Sequence, residues 1–226
     1  MVLLWDFYNT IAFRKGGWSG CILELTEEYG YDGVTIEQIR PIMGTGFPWH
    51  DPQIPHSIFF EGMHWWEKME LHFENVFIRL GVNPVDAPIM SKKVKAKYGD
   101  IIQWEIFDDA IETLETSSGK GFRHYIVSNY DPGLADFIEQ IGLSKYFEKI
   151  YSSAHIGYEK PNPKFFEYVL DDAKLDPSGA IMIGDNYQAD IMGAKEIGIK
   201  GILVHAENSN NYALYSKNLK GIFNFL

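Results

Sequence analysis

The chain has 226 residues, 46% hydrophobic and 23% charged, and carries a net charge of −11 at pH 7. Its size and composition fit a globular protein that is either one large domain or a core with an inserted subdomain. The acidic surplus argues against a general basic surface for nucleic acid or anionic membrane, but leaves room for a small anionic substrate met by local charge.

In chain order, the first predicted element is a short apolar strand, Leu3-Leu4-Trp5, which delivers Asp6 to its C-terminal end. Residues 15 to 105 do not alternate strand and helix. They hold helical stretches at Glu24–Tyr29, Ile36–Met43, Ser57–Leu80 and Pro88–Tyr98. In the longest, Phe59, Met63, Trp66, Phe73, Phe77 and Leu80 recur at helical spacing and predict one buried face. The loop Gly44–His56 contains Pro48, Pro52 and Pro55 and is expected to be irregular.

From Arg123 onward the rhythm changes. Tyr125-Ile126-Val127-Ser128 reads as a strand, and Asp131-Pro132 as the start of a helix ending at Gly142. Lys149–Ser152 is a second strand, and Asn162-Pro163 opens another helix through Phe165, Phe166, Val169 and Leu170. Ala180–Ile183, then Gly184-Asp185, ends a third strand. A helix from Tyr187 to Ile197 precedes a fourth strand, Gly201–Val204. This alternation predicts an α/β fold, a doubly wound parallel sheet, with residues 1–14 and 106–226 forming the core and 15–105 an inserted helical subdomain.

The single cysteine, Cys21, permits no intrachain disulfide, so a reducing, cytoplasmic compartment is expected. Asp6 breaks the N-terminal apolar run, which therefore does not read as a signal peptide, and no apolar stretch is long enough to span a bilayer. Neither a nucleic-acid nor a membrane partner is expected; oligomeric state is silent.

Strand ends of a doubly wound sheet gather at one edge, so Asp6, Ser128-Asn129, Lys160, Asp185 and Asp190 can meet there. A carboxylate such as Asp6 can form a covalent intermediate. A hydroxyl and a backbone N–H, as at Ser128-Asn129, can hold the oxygens of a transferred group, and Lys160 can neutralise charge. Asp6 and Asp185 together suit a hard divalent cation such as Mg²⁺. Without one, three carboxylates facing a single lysine should raise at least one carboxylate pKa.

In order and over nearly the whole chain, these segments resemble the four motifs of the haloacid dehalogenase superfamily. The resemblance implies a Rossmann-like core and, for the insert, the helical cap of that superfamily's first cap class. It implies Asp6 as nucleophile, Thr10 as the brace of its loop and Ser128 as the second-motif hydroxyl. Lys160 would be the third-motif lysine, and Asp185 with Asp190 the fourth-motif carboxylates. A metal ion would be held by Asp6, Asp185 and the backbone carbonyl of Tyr8. The Trp65-Trp66 pair and Gly184-Asp185-Asn186-Tyr187 also resemble the "haloacid dehalogenase-like hydrolase domain-containing" subgroup.

Tyr8 stands where the phosphatases of that superfamily carry a second aspartate, the acid and base of their reaction. A phenol with a reference pKa of about 10 is a poor base near neutral pH. Asp-x-Tyr-x-Thr instead resembles the dehalogenases, whose halide leaving group needs no proton, whereas the carboxylate at Asp185 fits the metal-dependent branch. The expectation is a Mg²⁺-dependent hydrolase of a small phosphorylated metabolite with a non-standard acid/base. The alternatives are a 2-haloacid dehalogenase or a degenerate, non-catalytic relative.

Other polar residues have plainer readings. His50, His56, His64 and His72 match no zinc spacing. Lys92, Lys93, Lys95 and Lys97 read as a solvated helix face. Arg14 and Lys15 are candidates for meeting a substrate anion, and Phe47 or Trp49 for lining a pocket.

Overall fold

A computed structural model describes all residues from Met1 to Leu226. The chain divides into two compact units. One comprises Met1–Phe13 and Ile106–Leu226, the other Arg14–Glu105.

The first unit opens with strand β1 (Val2–Trp5), buried at every position. The chain leaves this unit along β2 (Ala12–Arg14). It then enters α1 (Gly17–Glu28), α2 (Ile36–Met43), α3 (His56–Phe59), α4 (Trp65–Arg79), α5 (Ala87–Ser91) and α6 (Val94–Tyr98). It returns along β3 (Trp104–Ile106), which pairs with β2 in a two-stranded sheet. The remaining order is α7 (Ala110–Gly119), β4 (Arg123–Ser128), α8 (Leu134–Gln140), β5 (Lys149–Ser152), α9 (Ser153–Ile156), α10 (Pro163–Ala173), β6 (Ala180–Gly184), a π-helix at Tyr187–Met192, α11 (Gly193–Glu196), β7 (Lys200–Val204) and β8 (Tyr215–Ser216).

Six strands form one sheet in the order β5-β4-β1-β6-β7-β8, with every pairing parallel. Strands buried on both faces lose their polar alternation, which is why β1, β6 and the Tyr125–Val127 stretch of β4 read as apolar runs. On one face Val2, Leu4, Val127 and Met182 pack against Phe165, Phe166 and Val169 of α10. Asn162 caps α10 by accepting from the Lys164 N–H, and Pro163 occupies the first turn.

One buried polar group serves the sheet itself. Trp5 donates from Nε1 to His124 Nδ1 at 2.8 Å, which leaves Nε2 of His124 as the N–H beside Ser117 Oγ at 3.3 Å. Burial holds this imidazole in its neutral form, with a pKa lowered to about 4.

The inserted unit departs from its expected outline. The predicted Ser57–Leu80 helix is two helices, α3 and α4. Glu61 and Gly62 between them take positive φ values of 52° and 82°, which end the first helix. The face of α4 that packs inward consists of Trp65, Met69, Phe73, Val76 and Phe77, whereas Met63 is exposed. Phe47 is fully buried, stacked on Trp49 and packed against Trp18 and Phe73, so it belongs to the core of this unit.

Arg14 is also a correction. Its side chain is buried and paired with Glu24 at 2.8 Å, and it donates to the carbonyls of Lys15 and Gly17. A guanidinium so engaged is a structural strut, not a site for a substrate anion. Lys93 and Lys95 lie over the rings of Tyr29 and Trp66, and Lys97 pairs with Glu28.

Candidate active site

The central position of β1, between β4 and β6, puts the topological switch of the sheet at the C-terminal end of β1. Asp6 follows β1 directly and keeps the ladder going for one more bond, from its N–H to the Ile183 carbonyl at 2.9 Å. Ser128 ends β4 and Asp185 follows β6, so three strand ends deliver polar side chains to one crevice.

Asp6 is 7% exposed, and its two oxygens are treated differently. Oδ1 accepts from Ser128 Oγ at 2.8 Å and from Lys160 Nζ at 2.8 Å. Oδ2 meets only the longer contact from Thr10 Oγ1, 3.3 Å. The same Thr10 hydroxyl lies 3.3 Å from Asp185 Oδ1 and accepts from the Asp185 N–H at 3.1 Å. Thr10 thus ties the loop after β1 to the loop after β6.

Lys160, 2% exposed, spends all three of its ammonium N–H bonds. They go to Asp6 Oδ1, to the Val127 carbonyl at 2.8 Å and to Asp190 Oδ1 at 2.6 Å. The other oxygen of Asp190 accepts from the Asn186 N–H at 2.9 Å. Both oxygens of Asp190 are therefore occupied in holding Lys160 and the loop after β6. Asp190 reaches this position because Gly184 has no side chain: a Cβ there would lie 2.1 Å from Asp190 Oδ2.

The charge balance is unfavourable. Asp6, Asp185 and Asp190 bring ligand oxygens within 4.8 Å of one another, against one lysine. The Asp190 carboxyl is pushed up to about 6, first by burial and then by the Asp6 charge, with Lys160 opposing both. Asp185 is raised well above the usual carboxylate range, again mainly by loss of water and then by the charges of Asp6 and Asp190. The pressure that the sequence attributes to crowding thus comes more from burial. Lys160 loses hydration as well, but the two carboxylates beside it outweigh that loss and hold its pKa above the ordinary value. Together the three carboxylates are a hard-oxygen donor set, and a divalent cation would relieve the pressure on Asp185 and Asp190.

Tyr8 is half-buried and pairs as an isolated bridge with Ala12. Asn129 faces Lys160, where both ends of its side-chain amide are engaged by backbone. Asp6, Thr10, Ser128, Asn129, Lys160, Asp185 and Asp190 are all joined in one hydrogen-bonded assembly. Two members had no role in the sequence reading. The Val127 carbonyl is one, and no side-chain pattern could have flagged it. The other is Asn186, whose side chain caps the π-helix while its N–H holds Asp190. Its place between a strand-ending Gly-Asp and a helix is an N-cap signal that could have been read.

Residues 63–204 match the sequence profile of the haloacid dehalogenase-like hydrolases. The chain belongs to this family. Among curated relatives of this chain, the haloacid dehalogenase-like hydrolase domain-containing protein 3 of Bos taurus is 31% identical over 142 residues. That match takes in 62% of this chain and 55% of the relative. The chain thus spans about half the length of that relative. Glyceraldehyde 3-phosphate phosphatase of Methanothermobacter thermautotrophicus is 30% identical over 105 residues, 45% of each chain. Among solved structures, the magnesium-bound HAD-hydrolase YfnB of Bacillus subtilis superposes with a TM-score of 0.76 at 20% identity, over 100% of this chain and 97% of that one. At that identity the likeness speaks for the fold. No helix of this chain is long and apolar enough to cross a membrane.

Proposed function

We propose that the protein is a Mg²⁺-dependent hydrolase of a small phosphate ester, acting through an aspartyl phosphate on Asp6. The observation that carries this reading is the Asp185 carboxylate, tied to Asp6 through Thr10 and close enough to share a cation with it. A metal-free reaction has no evident use for a third, half-buried carboxylate beside one lysine. The phosphatase among the relatives points the same way.

Asp6, Asp185 and the Tyr8 backbone carbonyl would hold the ion. When bound, Mg²⁺ supplies charge neutralisation to the phosphoryl oxygens. Lys160 and Ser128 hold and orient the Asp6 carboxylate. An Asp6 oxygen attacks phosphorus as the bond to the leaving oxygen breaks, and the electron pair departs on that oxygen with a proton to be supplied. Water then attacks phosphorus, giving up a proton and releasing phosphate and the free Asp6 carboxylate. The Tyr8 phenol, with a reference pKa of about 10, is a weak acid for the first proton and, once neutral again by exchange with water, has no free base for the second. The hydrolytic half-reaction is therefore the slow one. The inserted helical unit takes the part of a specificity cap.

Release of phosphate from a panel of phosphorylated metabolites, with Mg²⁺ and with chelator, tests the reading. Mg²⁺-dependent release that is absent in Asp6→Asn is expected. Silence across the panel, or indifference to chelator, overturns it. Tyr8 favours a second reading, displacement of halide from a 2-haloacid by Asp6 followed by ester hydrolysis. Chloride release from 2-chloropropionate without metal would move the assignment there.

A further inference from the structure

Lys160 sits 154 positions from Asp6 in sequence, on a loop, yet its ammonium must find Asp6, Asp190 and the Val127 carbonyl at once. A long, flexible side chain cannot do this unless its Cα is fixed. The fixing comes from Asn129. Its Oδ1 accepts from the Lys160 N–H at 2.7 Å, and its Nδ2 donates to the Lys160 carbonyl at 2.9 Å. The side-chain amide thereby pairs with both backbone groups of a single residue, as a neighbouring strand would.

We infer that Asn129 is a positioning residue: its amide clamps the backbone of Lys160 and so places the ammonium that neutralises the Asp6 site. The geometry demands this residue type. Aspartate at 129 keeps the acceptor for the N–H but sets a carboxylate oxygen against the Lys160 carbonyl. Glutamine is one methylene too long, and alanine removes both bonds. Asn129 also immediately follows Ser128, whose hydroxyl shares Asp6 Oδ1 with Lys160. One dipeptide at the end of β4 therefore sets two of the groups around the nucleophile, one directly and one through the backbone across from it. Because the three bonds of Lys160 exhaust its donors, the ammonium is a fixed counter-charge for Asp6, not a hand extended to the substrate.

The test has two arms, and only the kinetic one rests on the hydrolase reading. In ¹⁵N-lysine NMR of the whole chain, a seat of three bonds should give one ammonium signal protected from exchange, identified by its loss in Lys160→Met. Asn129→Ala should lose that signal, and Asn129→Asp should speed its exchange about 5-fold or more, the worth of roughly one hydrogen bond. In the kinetic arm, Asn129→Ala should lower kcat about 10–100-fold, as loss of a ligand-orienting partner does. In the Lys160→Met background it should lower kcat no further, because a residue acting through Lys160 has nothing left to place. A merely structural loss would lower both backgrounds alike. The inference is overturned if folded Asn129→Ala keeps the protected signal, if the wild type has none, or if the two kinetic losses simply add. Should Asn129→Ala fail to fold, Asn129→Asp carries both arms. Should the wild type hydrolyse no phosphate ester, the proposed reaction falls while the NMR arm still decides the clamp.

Discussion

Lys160 Nζ and Asp190 Oδ1 stand 2.6 Å apart with both side chains almost wholly out of water, 2% and 1% exposed. The pair is a conduit of constraint: Asp190 holds the loop after β6 with its second oxygen, and Lys160 holds Asp6.

Removing one partner of such a pair leaves a buried charge uncompensated, at a cost of about 3–5 kcal/mol. Lys160→Met should therefore lower stability to urea by that order, measured in chelator. Adding Asp190→Asn should restore part of it, because the orphaned charge is removed. Strict additivity of the two losses would mean that the pair does not act as one.

A cation shared by Asp6 and Asp185 would bind only the folded chain and would therefore stabilise it. At free Mg²⁺ of 100 times its Kd the gain is about 2.7 kcal/mol. Thermal unfolding should move upward with Mg²⁺ in the wild type and stay fixed in Asp185→Asn. An equal shift in both would remove Asp185 from the metal site.

Burial depresses His124 to about 4, against a value near 6.5 in the unfolded chain. Between these values the unfolded state binds the proton and the folded state does not. Stability from His124 is thus present above pH 6.5, falls as pH drops through this window and levels off below 4. His72, lowered to about 4 mainly by burial, adds in the same direction. Urea midpoints from pH 7 to pH 4.5 should decline more steeply in the wild type than in His124→Gln. Parallel curves would show that His124 does not titrate on unfolding.

If Tyr8 stays a neutral phenol near pH 7, it cannot take the proton of the attacking water, and aspartyl phosphate accumulates. Rapid mixing with p-nitrophenyl phosphate should show a burst of one equivalent of p-nitrophenol before slow turnover. Tyr8→Asp should abolish the burst and raise turnover, by up to the 10²–10⁴-fold typical of a positioned acid/base. A lower turnover in Tyr8→Asp would give the tyrosine a role of its own.

Much of this was legible in the sequence because parallel strands buried on both faces announce themselves as apolar runs, and their C-terminal residues must share an edge. Asp6, Ser128 and Asp185 could be placed together on that ground alone. The insert was harder. Its helices are amphipathic with aromatics on several faces, so spacing alone could not tell that Glu61 and Gly62 break the long run or that Trp65, not Trp66, turns inward. Arg14 misled because a cation close after Asp6 in sequence reads as a ligand contact, whereas its partner Glu24 lies 10 positions on, within α1, and only folding pairs them. The Asn129 clamp was invisible because its partners are backbone atoms, which carry no residue signature.

The exit and return of the chain at β2 and β3 carry a different kind of consequence. Bonds from Phe107 to Ile11 and from Lys15 to Gln103 bracket the two strands, so the residues between them form one long closed loop. The entropy of closing a loop grows only with the logarithm of its length. The sheet that carries Asp6 is therefore nearly indifferent to how much chain lies between β2 and β3.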